Sequence, residues 1–319
     1  MKVLVTGGAG FIGSHIVDAL LETGSDVIVV DDMSTGFERN VNREVRLYRT
    51  NICDPELSAI FERERPDMVC HQAAQTVVTR SIDDPLFDAE VNVLGSLNVL
   101  RNCKRAGVRR IVYASSCAVY GDVKYLPVDE DHPIIPMSPY GVSKHTVEHY
   151  LHLYSLVHNL SFMALRYANV YGPRQNERAE AGVVAIFAGK MLSGQRPTIY
   201  GTGTKTRDYV YVQDVVTANL LALKSSETGI CNIGTGTQTT DQMVFDTMSR
   251  LSGYAGPVEY APERPGEIRR MYLDCARAKR QLNWSPEISL QEGIMRAMEF
   301  YANTRERRAL HPVNVELRV

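Results

Sequence analysis

The sequence lacks long apolar runs and an excess of charge of one sign. Thirty-five basic against thirty-seven acidic side chains leave a net charge of −2, so there is no broad positive field to hold nucleic acid or an anionic membrane. No stretch approaches the roughly eighteen continuous apolar residues of a transmembrane helix, and the N-terminus has no secretory leader pattern. We therefore predict a cytoplasmic protein that binds neither nucleic acid nor membrane.

Paired cysteines are also missing. The chain has six cysteines, with no Cys-x-x-Cys pair and no zinc spacing. Scattered cysteines of this kind are typical of a reduced intracellular protein with buried thiols, and not of a disulfide scaffold or a structural metal site. The six are Cys53, Cys70, Cys103, Cys117, Cys231 and Cys275.

What the sequence does contain is a regular alternation of apolar strands and helical patterns in its first half. This alternation predicts an α/β fold, namely a Rossmann-type doubly wound parallel sheet with a smaller C-terminal substrate-binding lobe. We place the dinucleotide-binding domain at residues 1–165, the lobe mainly at 166–303 and a loose tail at 304–319. Strands from about 208–235 are candidates to rejoin the first sheet.

The predicted elements of the first half follow from this periodicity. The strands are Val3–Thr6, Asp26–Asp31, Val45–Asn51, Pro66–Ala73 and Ile111–Ser115, and the helices are Gly10–Thr23 and Asp88–Ala106. A further long helix begins at Ser138-Pro139, with the serine as N-cap and the proline at the first helical position.

A glycine-rich loop between the first strand and the first helix indicates a dinucleotide site. Gly7, Gly10 and Gly13 form Gly-x-x-Gly-x-x-Gly, and small residues there let the backbone and the helix N-terminus approach a pyrophosphate. Asp31 ends the second strand, where a carboxylate accepts both ribose hydroxyls of NAD. Asp32 adds a second negative charge that disfavours the 2′-phosphate of NADP, so we predict NAD.

A tyrosine and a lysine four residues apart predict a proton-transfer pair. Tyr140 and Lys144 share one face of the helix that begins at Ser138. A nearby ammonium group stabilises a phenolate and would lower the pKa of Tyr140 towards a usable base. Ser115-Ser116 ends a strand upstream, where a hydroxyl could orient a substrate oxygen.

These motifs together resemble the extended short-chain dehydrogenase/reductase superfamily and, within it, the UDP-glucose 4-epimerase family. The resemblance runs from Lys2 to about Tyr301. It rests on Val5-Thr-Gly-Gly-Ala-Gly-Phe-Ile-Gly13, His71-Gln-Ala-Ala-Gln75, Ser115-Ser-Cys-Ala-Val-Tyr-Gly121, Tyr140-Gly-Val-Ser-Lys144, Asn169-Val-Tyr-Gly-Pro-Arg-Gln175, Arg207-Asp-Tyr-Val-Tyr-Val212 and Arg264-Pro-Gly-Glu267.

The resemblance implies an isomerase that uses tightly held NAD to epimerise a UDP-hexose at C4 through a transient 4-keto sugar. It implies Ser116, Tyr140 and Lys144 as the catalytic group, with Tyr140 as the base. The implied cofactor residues are Gly7, Gly10, Phe11, Ile12, Gly13, Asp31, Asp32, Asn51, Ile52, Gln72, Ala73, Ala74, Asn92, Tyr140, Lys144 and Tyr167. The implied substrate residues are Ser116, Tyr140, Asn169, Val183, Tyr200, Arg207, Arg264, Glu267 and Met271.

The resemblance also implies a homodimer, formed through Asp88–Ala106 and Tyr140–His158. Three positions depart from the family pattern: Asn51-Ile52 replaces Asp-Ile, Ala168 replaces an aromatic residue, and Glu267 replaces an aspartate. Met271 occupies the place that lines the 2′ side of the sugar in the family. Because methionine is unbranched and deformable, we expect efficient conversion of UDP-glucose and weaker activity on UDP-N-acetylglucosamine.

Other functions remain open on the sequence alone. UDP-N-acetylglucosamine or UDP-glucuronate could be the substrate of the same chemistry, and other NAD-dependent nucleotide-sugar enzymes share its first half. A 4,6-dehydratase needs an Asp-Glu pair where this chain has Cys117 and Ala118. His145-Thr-Val-Glu-His149 fits a zinc peptidase pattern, but the same helix turns carry Tyr140 and Lys144. A non-catalytic nucleotide sensor would have no need of Ser116, Tyr140 and Lys144.

Overall fold

The structure is a computed structural model that describes residues 1–176, 182–263 and 268–310, with side chains to residue 305. The strands in these ranges are β1 (Lys2–Thr6), β2 (Asp26–Asp31), β3 (Arg46–Arg49), β4 (Met68–His71), β5 (Arg110–Ser116), β6 (Ser161–Tyr167), β7 (Asn169–Tyr171), β8 (Thr198–Tyr200), β9 (Thr206–Arg207), β10 (Tyr209–Tyr211), β11 (Gly229–Ile233), β12 (Thr239–Thr240) and β13 (Glu259–Ala261).

The helices alternate with these strands. They are α1 (Phe11–Glu22), α2 (Leu57–Glu64), α3 (Val78–Asp83), α4 (Pro85–Ala89), α5 (Gly95–Ala106), α6 (Pro139–His158), α7 (Val183–Leu192), α8 (Val212–Lys224), α9 (Asp241–Ser252), α10 (Ala276–Leu282) and α11 (Leu290–Leu310). Short 3-10 turns cover Glu38–Asn40 and Cys117–Val119. None of the described helices is both long enough and apolar enough to cross a membrane.

The central sheet has seven parallel strands in the order β11-β6-β5-β4-β1-β2-β3. Apolar side chains cover both of its faces, because one face packs on α1 and α8 and the other packs on α2, α5 and α6. Central parallel strands buried in this way read as continuous apolar runs, as the sequence of β1 and β2 does. The predicted Rossmann-type doubly wound sheet is confirmed.

The predicted helix Asp88–Ala106 is interrupted by one wider turn. A π-helical turn covers Glu90–Leu94, between α4 and α5. Such turns insert an extra residue and often occur at functional sites, and here the turn carries Asn92. The helix ends as predicted at Gly107, which adopts a left-handed conformation with φ of 73°.

The long helix α6 begins as the sequence predicts. The hydroxyl of Ser138 accepts a hydrogen bond from the N–H of Gly141 at 3.2 Å, and Pro139 occupies the first helical position. This cap satisfies one of the free donors of the first turn. It fixes the start of α6 one residue before Tyr140.

The second lobe is built from short elements of the C-terminal half. In the described ranges it contains two-stranded sheets that pair β7 with β10, β8 with β13 and β9 with β12, and its core lies among α7, α9 and α11. The chain also returns to the main sheet, because β11 pairs with β6. Helix α11 continues to Leu310, so residues 304–310 of the predicted tail are helical.

Candidate active site

The glycine-rich loop lies where the strand order of the sheet changes direction, between β1 and β4. Such a switch point forms a crevice at the carboxyl ends of the strands. Gly7 has a φ of 70°, and a Cβ there would lie 2.7 Å from the backbone nitrogen of Ala73. Gly10 begins α1 without any side-chain cap. The first-turn N–H groups of α1 are therefore free of side-chain acceptors and suit a bound pyrophosphate.

The predicted segments after β1 and after β4 meet at this crevice. Phe11 and Ile12 open α1 beside Gly13. The N–H of Gln72 donates to the Thr6 carbonyl at 3.1 Å, and the N–H of Ala73 donates to the Thr6 hydroxyl at 3.2 Å. Ala74 follows in the same segment, so residues from both strands border one site.

Asp31 lies at the end of β2, as predicted, and is tied to the glycine-rich loop. Its carboxylate accepts from the N–H of Ala9 at 2.9 Å and from the N–H of Met33 at 2.8 Å. Burial raises the pKa of Asp31, against the lowering effect of these two donors. The group sits where a ribose would be recognised, while Asp32 next to it is exposed.

The side chain of Asn51, a predicted cofactor residue, forms hydrogen bonds within the protein, and its contact with NAD stays a prediction. The amide donates to the Asp32 carboxylate at 2.9 Å, and its oxygen accepts from the N–H of Cys53. Ile52 beside it is buried among the apolar side chains that pack against α2 and α5. Asn51 thus fixes Asp32 in the predicted adenosine region.

Gln72 and Tyr167 meet through a residue that the sequence did not single out. The Asn219 amide donates to the Tyr167 hydroxyl at 2.8 Å, and the Gln72 amide donates to the Asn219 oxygen at 3.1 Å. Asn219 lies on α8 and is fully buried. Nothing in its local sequence marks this role, which depends on α8 crossing below β4 and β6.

Ser116, Tyr140 and Lys144 come together at the crevice, as predicted. Ser116 ends β5, and hydrogen bonding from it lowers the pKa of the Tyr140 phenol. The Lys144 ammonium lies 5.8 Å from the centre of the Tyr140 ring and donates to the carbonyl of Ala114 at 2.9 Å. The arrangement sets a hydroxyl, a phenol and an ammonium side by side, which suits proton transfer to or from a substrate hydroxyl.

The pKa values of the pair differ from the sequence expectation. Burial raises the pKa of Tyr140 to about 12, although the Ser116 hydrogen bond lowers it. Burial also lowers the pKa of Lys144 to about 8, while the negative charges of Asp88 and Glu148 raise it. The predicted lowering of the Tyr140 pKa is therefore wrong for the protein alone, because desolvation outweighs the Ser116 hydrogen bond.

Asn92 was predicted at the cofactor, but its side chain is occupied by a buried network. Its amide donates to the carbonyl of Gln75, the carboxylate of Asp88 and the hydroxyl of Ser143, at 3.0 to 3.1 Å. Its oxygen accepts from the N–H of Gln75 at 2.8 Å. The π-helical turn thus ties α4 to α6 next to Lys144. One carboxylate oxygen of Asp88 is buried without a hydrogen-bond partner.

The predicted substrate residues differ in their burial and in whether the structure describes them. Arg264 and Glu267 lie outside the described residues, and Met271 is buried at 1 % exposure among core side chains. Ser116 and Tyr140 lie at the ends of β5 and α6 as described above. The other four are each half-buried in the second lobe: Asn169, Val183, Tyr200 and Arg207. Contact of these side chains with a sugar nucleotide stays a prediction.

Two residues of the zinc peptidase pattern on α6, His145 and Glu148, take part in a buried network with Arg166 instead. Glu148 is buried and forms a two-bond ion pair with Arg166, at 2.9 and 2.7 Å, and it also accepts from Ser115. The Nδ1 atom of His145 contacts the same carboxylate. A glutamate neutralised by arginine is unsuited to act as the base of a metallopeptidase. Among the described residues, no group of three or more His, Cys, Asp or Glu could hold a metal ion.

Cys117 occupies the position of the acidic residue that a dehydratase would need. Burial raises the pKa of the Cys117 thiol to about 12, so it is protonated at neutral pH and cannot replace a carboxylate in acid–base exchange. Ala118 at the next position has no proton to give. The described site therefore has a base for the sugar hydroxyl and lacks the carboxylate pair for removal of water.

Comparison with known proteins finds one matching family and close relatives. Residues 3–234 match the model of the NAD dependent epimerase/dehydratase family. The UDP-glucose 4-epimerase of Mycolicibacterium smegmatis is 41 % identical over 310 residues, which cover 95 % of this chain and 99 % of that protein.

Solved structures agree with the fold. The UDP-glucose 4-epimerase of Thermotoga maritima, solved with UDP-glucose, is 44 % identical and superposes with a TM-score of 0.94 over 96 % of this chain and 100 % of that one. The UDP-glucose 4-epimerase of Thermus thermophilus, solved with NAD, is 44 % identical with a TM-score of 0.90 and covers 94 % of this chain and 99 % of that one.

Proposed function

The chain belongs to the NAD-dependent epimerase/dehydratase family, and we propose that it interconverts UDP-glucose and UDP-galactose. The observation that carries this proposal is the meeting of β5 and α6, where the Lys144 ammonium lies 5.8 Å from the centre of the Tyr140 ring and Ser116 lowers the pKa of the phenol. Ser116 and the glycine-rich loop both lie at the carboxyl ends of parallel strands, and Cys117 and Ala118 stand where a carboxylate pair would be needed. Relatives of similar length that are named UDP-glucose 4-epimerase support the same conclusion.

Three side chains have different roles at the C4 hydroxyl of the sugar. Tyr140 accepts the proton of the hydroxyl and later returns it, while Ser116 orients the oxygen and Lys144 supplies positive charge beside the phenolate. These roles fit the positions of the groups, because Lys144 is held by the carbonyl of Ala114 at 2.9 Å with its ammonium 5.8 Å from the Tyr140 ring. Loss of this proton together with a hydride from C4 leaves a 4-keto sugar, and inversion follows when the hydride returns to the other face of C4 and Tyr140 returns the proton.

The residues at the switch point fit NAD. The close packing of Gly7 against Ala73 leaves no space for a side chain, and Asp31 is held at the end of β2 by two backbone donors. Bound NAD supplies the hydride acceptor for C4 and gives the hydride back, so no net oxidation occurs. Asp31 would hold the ribose hydroxyls and Asp32 would disfavour a 2′-phosphate.

The second lobe is proposed to bind the nucleotide sugar. Arg207 ends β9, two residues before Tyr209, the residue of β10 that pairs with Asn169, and an arginine fork suits a diphosphate. Tyr200 and Val183 are proposed to contact the rest of the ligand, and Arg264 and Glu267 to complete the site. Met271 would limit the space at the 2′ side of the sugar.

We further propose a cytoplasmic homodimer. Helix α6 and the helix from α4 to α5 expose apolar side chains that a partner helix pair would cover, namely Leu86, Leu94, Val142, Leu156 and Val157. All six cysteines are free, which suits a reducing compartment. Sedimentation equilibrium tests the dimer, and a monomer mass at micromolar concentration would reject it.

A panel of UDP-sugars tests the proposed activity. The purified protein is incubated separately with UDP-glucose, UDP-N-acetylglucosamine and UDP-glucuronate, and the products are identified by proton NMR. We expect UDP-galactose from UDP-glucose as the fastest reaction. A 4-epimer from another sugar with no reaction of UDP-glucose would assign that sugar instead. Absence of any 4-epimer would reject the epimerase proposal.

A further inference from the structure

Asp208 is a fully buried carboxylate next to Arg207, in the turn between β9 and β10. In the described part of the chain no cation pairs with it, and backbone and hydroxyl donors surround it instead. One oxygen accepts from the N–H and the hydroxyl of Thr235, both at 2.7 Å. The other accepts from the N–H of Gly236 at 3.0 Å and of Leu273 at 3.2 Å.

The same residue also binds a third segment through its backbone. The carbonyl of Asp208 accepts from the N–H of Asn169 at 2.9 Å. Asp208 thus joins the start of β7, the loop after β11 and the segment that contains Leu273. A Cβ on Gly234 would lie 2.5 Å from the Asp208 carboxylate, so the loop after β11 is shaped to bring its donors to this oxygen.

The joined segments carry predicted substrate residues. Arg207 directly precedes Asp208, and Asn169 is bonded to the Asp208 backbone. Met271 lies two residues before Leu273, and its N–H donates to the Thr206 carbonyl at 3.1 Å. Strand β9 itself has only two residues, paired with the two residues of β12. Thr206 is also bonded to the carbonyl of Arg269 at 3.0 Å, so the position of Arg207 depends on this strand segment on one side and on the bonds to Asp208 on the other.

We propose that Asp208 is the positioning residue of the nucleotide-sugar site, through which Arg207 and the Met271–Leu273 segment keep the geometry that a UDP-sugar requires. It acts without touching the ligand, since it has no exposed surface. This inference rests on the proposed function, because it assumes that Arg207 meets the diphosphate. Hydrogen bonds to a charged acceptor are the strong ones, so four of them to one carboxylate hold the segments firmly.

The test compares Asp208→Asn with a matched control. Asp214 is also buried, and it accepts from the N–H groups of Glu287 and Ile288 at 3.0 and 3.2 Å, but it joins no predicted substrate residue. For Asp208→Asn we expect the KM for UDP-glucose and the Kd for UDP to rise on the order of tenfold, with a smaller fall in kcat and unchanged NAD content. Asp214→Asn should lower the Tm and leave KM and Kd unchanged.

Two milder variants keep the test decisive if Asp208→Asn fails to fold. Thr235→Val removes one of the four bonds and should raise KM and Kd in the same direction by a smaller factor, whereas Thr235→Ser keeps the hydroxyl and should behave as wild type. Wild-type KM and Kd in both Asp208→Asn and Thr235→Val, or equal changes in Asp214→Asn, would overturn the inference. Because the Kd for UDP is measured by calorimetry without turnover, an inactive wild type would reject the proposed epimerase activity and still leave Asp208 tested.

Discussion

Tyr140 is the residue on which the proposed proton transfer depends. Removing its hydroxyl with Tyr140→Phe should lower kcat by about 10²–10⁴, the usual contribution of a positioned proton acceptor. The ring still fills its place, so the fold and the bound NAD should remain. Steady-state kinetics measure kcat, and the absorbance of the released nucleotide measures the bound NAD. Near-wild-type turnover would remove Tyr140 from its role.

Asp88 provides a pH-dependent test at the same scale. Its negative charge raises the pKa of the buried Lys144, which lies at about 8. Asp88→Asn removes that charge, so the pKa of Lys144 should fall and the ammonium should be lost at a lower pH. The alkaline limb of the kcat–pH profile should then move to lower pH. Glu64→Gln serves as a control, because Glu64 is a buried carboxylate bonded to Tyr48 on another part of the sheet.

An unchanged alkaline limb in Asp88→Asn would show that Lys144 does not carry that ionisation. A shift of equal size in Glu64→Gln would show that the effect comes from general loss of stability. Either result would show that the charge of Asp88 does not act on the catalytic pair of Tyr140 and Lys144.

Helix α6 is the element that brings Tyr140 to Ser116. Gly141 permits this approach, because a Cβ there would lie 2.6 Å from the carbonyl oxygen of Ala118. Gly141→Ala should push the start of α6 away from the Ser116–Ala118 turn and lower kcat at least about tenfold, the cost of a misplaced reacting group. NAD content should be unchanged, since the glycine-rich loop is on another element. A wild-type kcat would show that the turn can yield without cost.

The elements also show what could be predicted from the sequence. The Ser138 cap, the end of the helix at Gly107 and the runs of β1 and β2 depend on neighbouring residues, and local chemistry was enough to predict them. The π-helical turn at Asn92 and the role of Asn219 depend on packing between distant segments. The close approach at Gly141 is of the same kind. No local pattern encodes such contacts, so they appear only in the folded chain.

The pKa of Tyr140 was missed for a related reason. From the sequence, the spacing of Tyr140 and Lys144 shows that an ammonium is near, and this alone would lower the pKa of the phenol. The sequence does not show how deeply the pair is desolvated. In the structure burial dominates and raises the pKa to about 12.

At the scale of the whole molecule, a buried polar chain links the catalytic helix to the second lobe. Glu148 on α6 pairs with Arg166 on β6, and Arg166 donates to the Tyr120 hydroxyl at 2.9 Å. Tyr120 donates to Asn232 at 2.6 Å, and the Asn232 amide donates to the Asp274 carbonyl at 3.1 Å. One network thereby ties α6 to the segment that contains Asp274.

Breaking this network at Glu148 should cost stability without touching substrate. Glu148→Gln leaves the Arg166 charge buried and unpaired, which should lower the free energy of unfolding by about 3–5 kcal/mol at pH 7. Urea denaturation measures this difference. A change below about 1 kcal/mol would mean that the pair adds little to the fold.

The pH dependence of stability tests the same ion pair between Glu148 and Arg166. Burial raises the pKa of Glu148, but Arg166, His145 and Ser115 together outweigh it and bring the pKa from 4.5 down to about 2. A depressed carboxyl pKa stabilises the fold above the unfolded value, and this stability is lost as pH falls from 4.5 towards 2. The wild type should lose more stability over that interval than Glu148→Gln, and equal losses would contradict the assignment.

The most direct test of the epimerase proposal follows the hydrogen at C4 of the sugar. The wild-type protein, with its own bound NAD and none added, is incubated with UDP-glucose in heavy water, and the products are examined by proton NMR. Because the hydrogen removed from C4 returns to the same carbon, we expect UDP-galactose that carries protium at C4. Deuterium at C4, a 4-keto-6-deoxy sugar or unchanged UDP-glucose would contradict it.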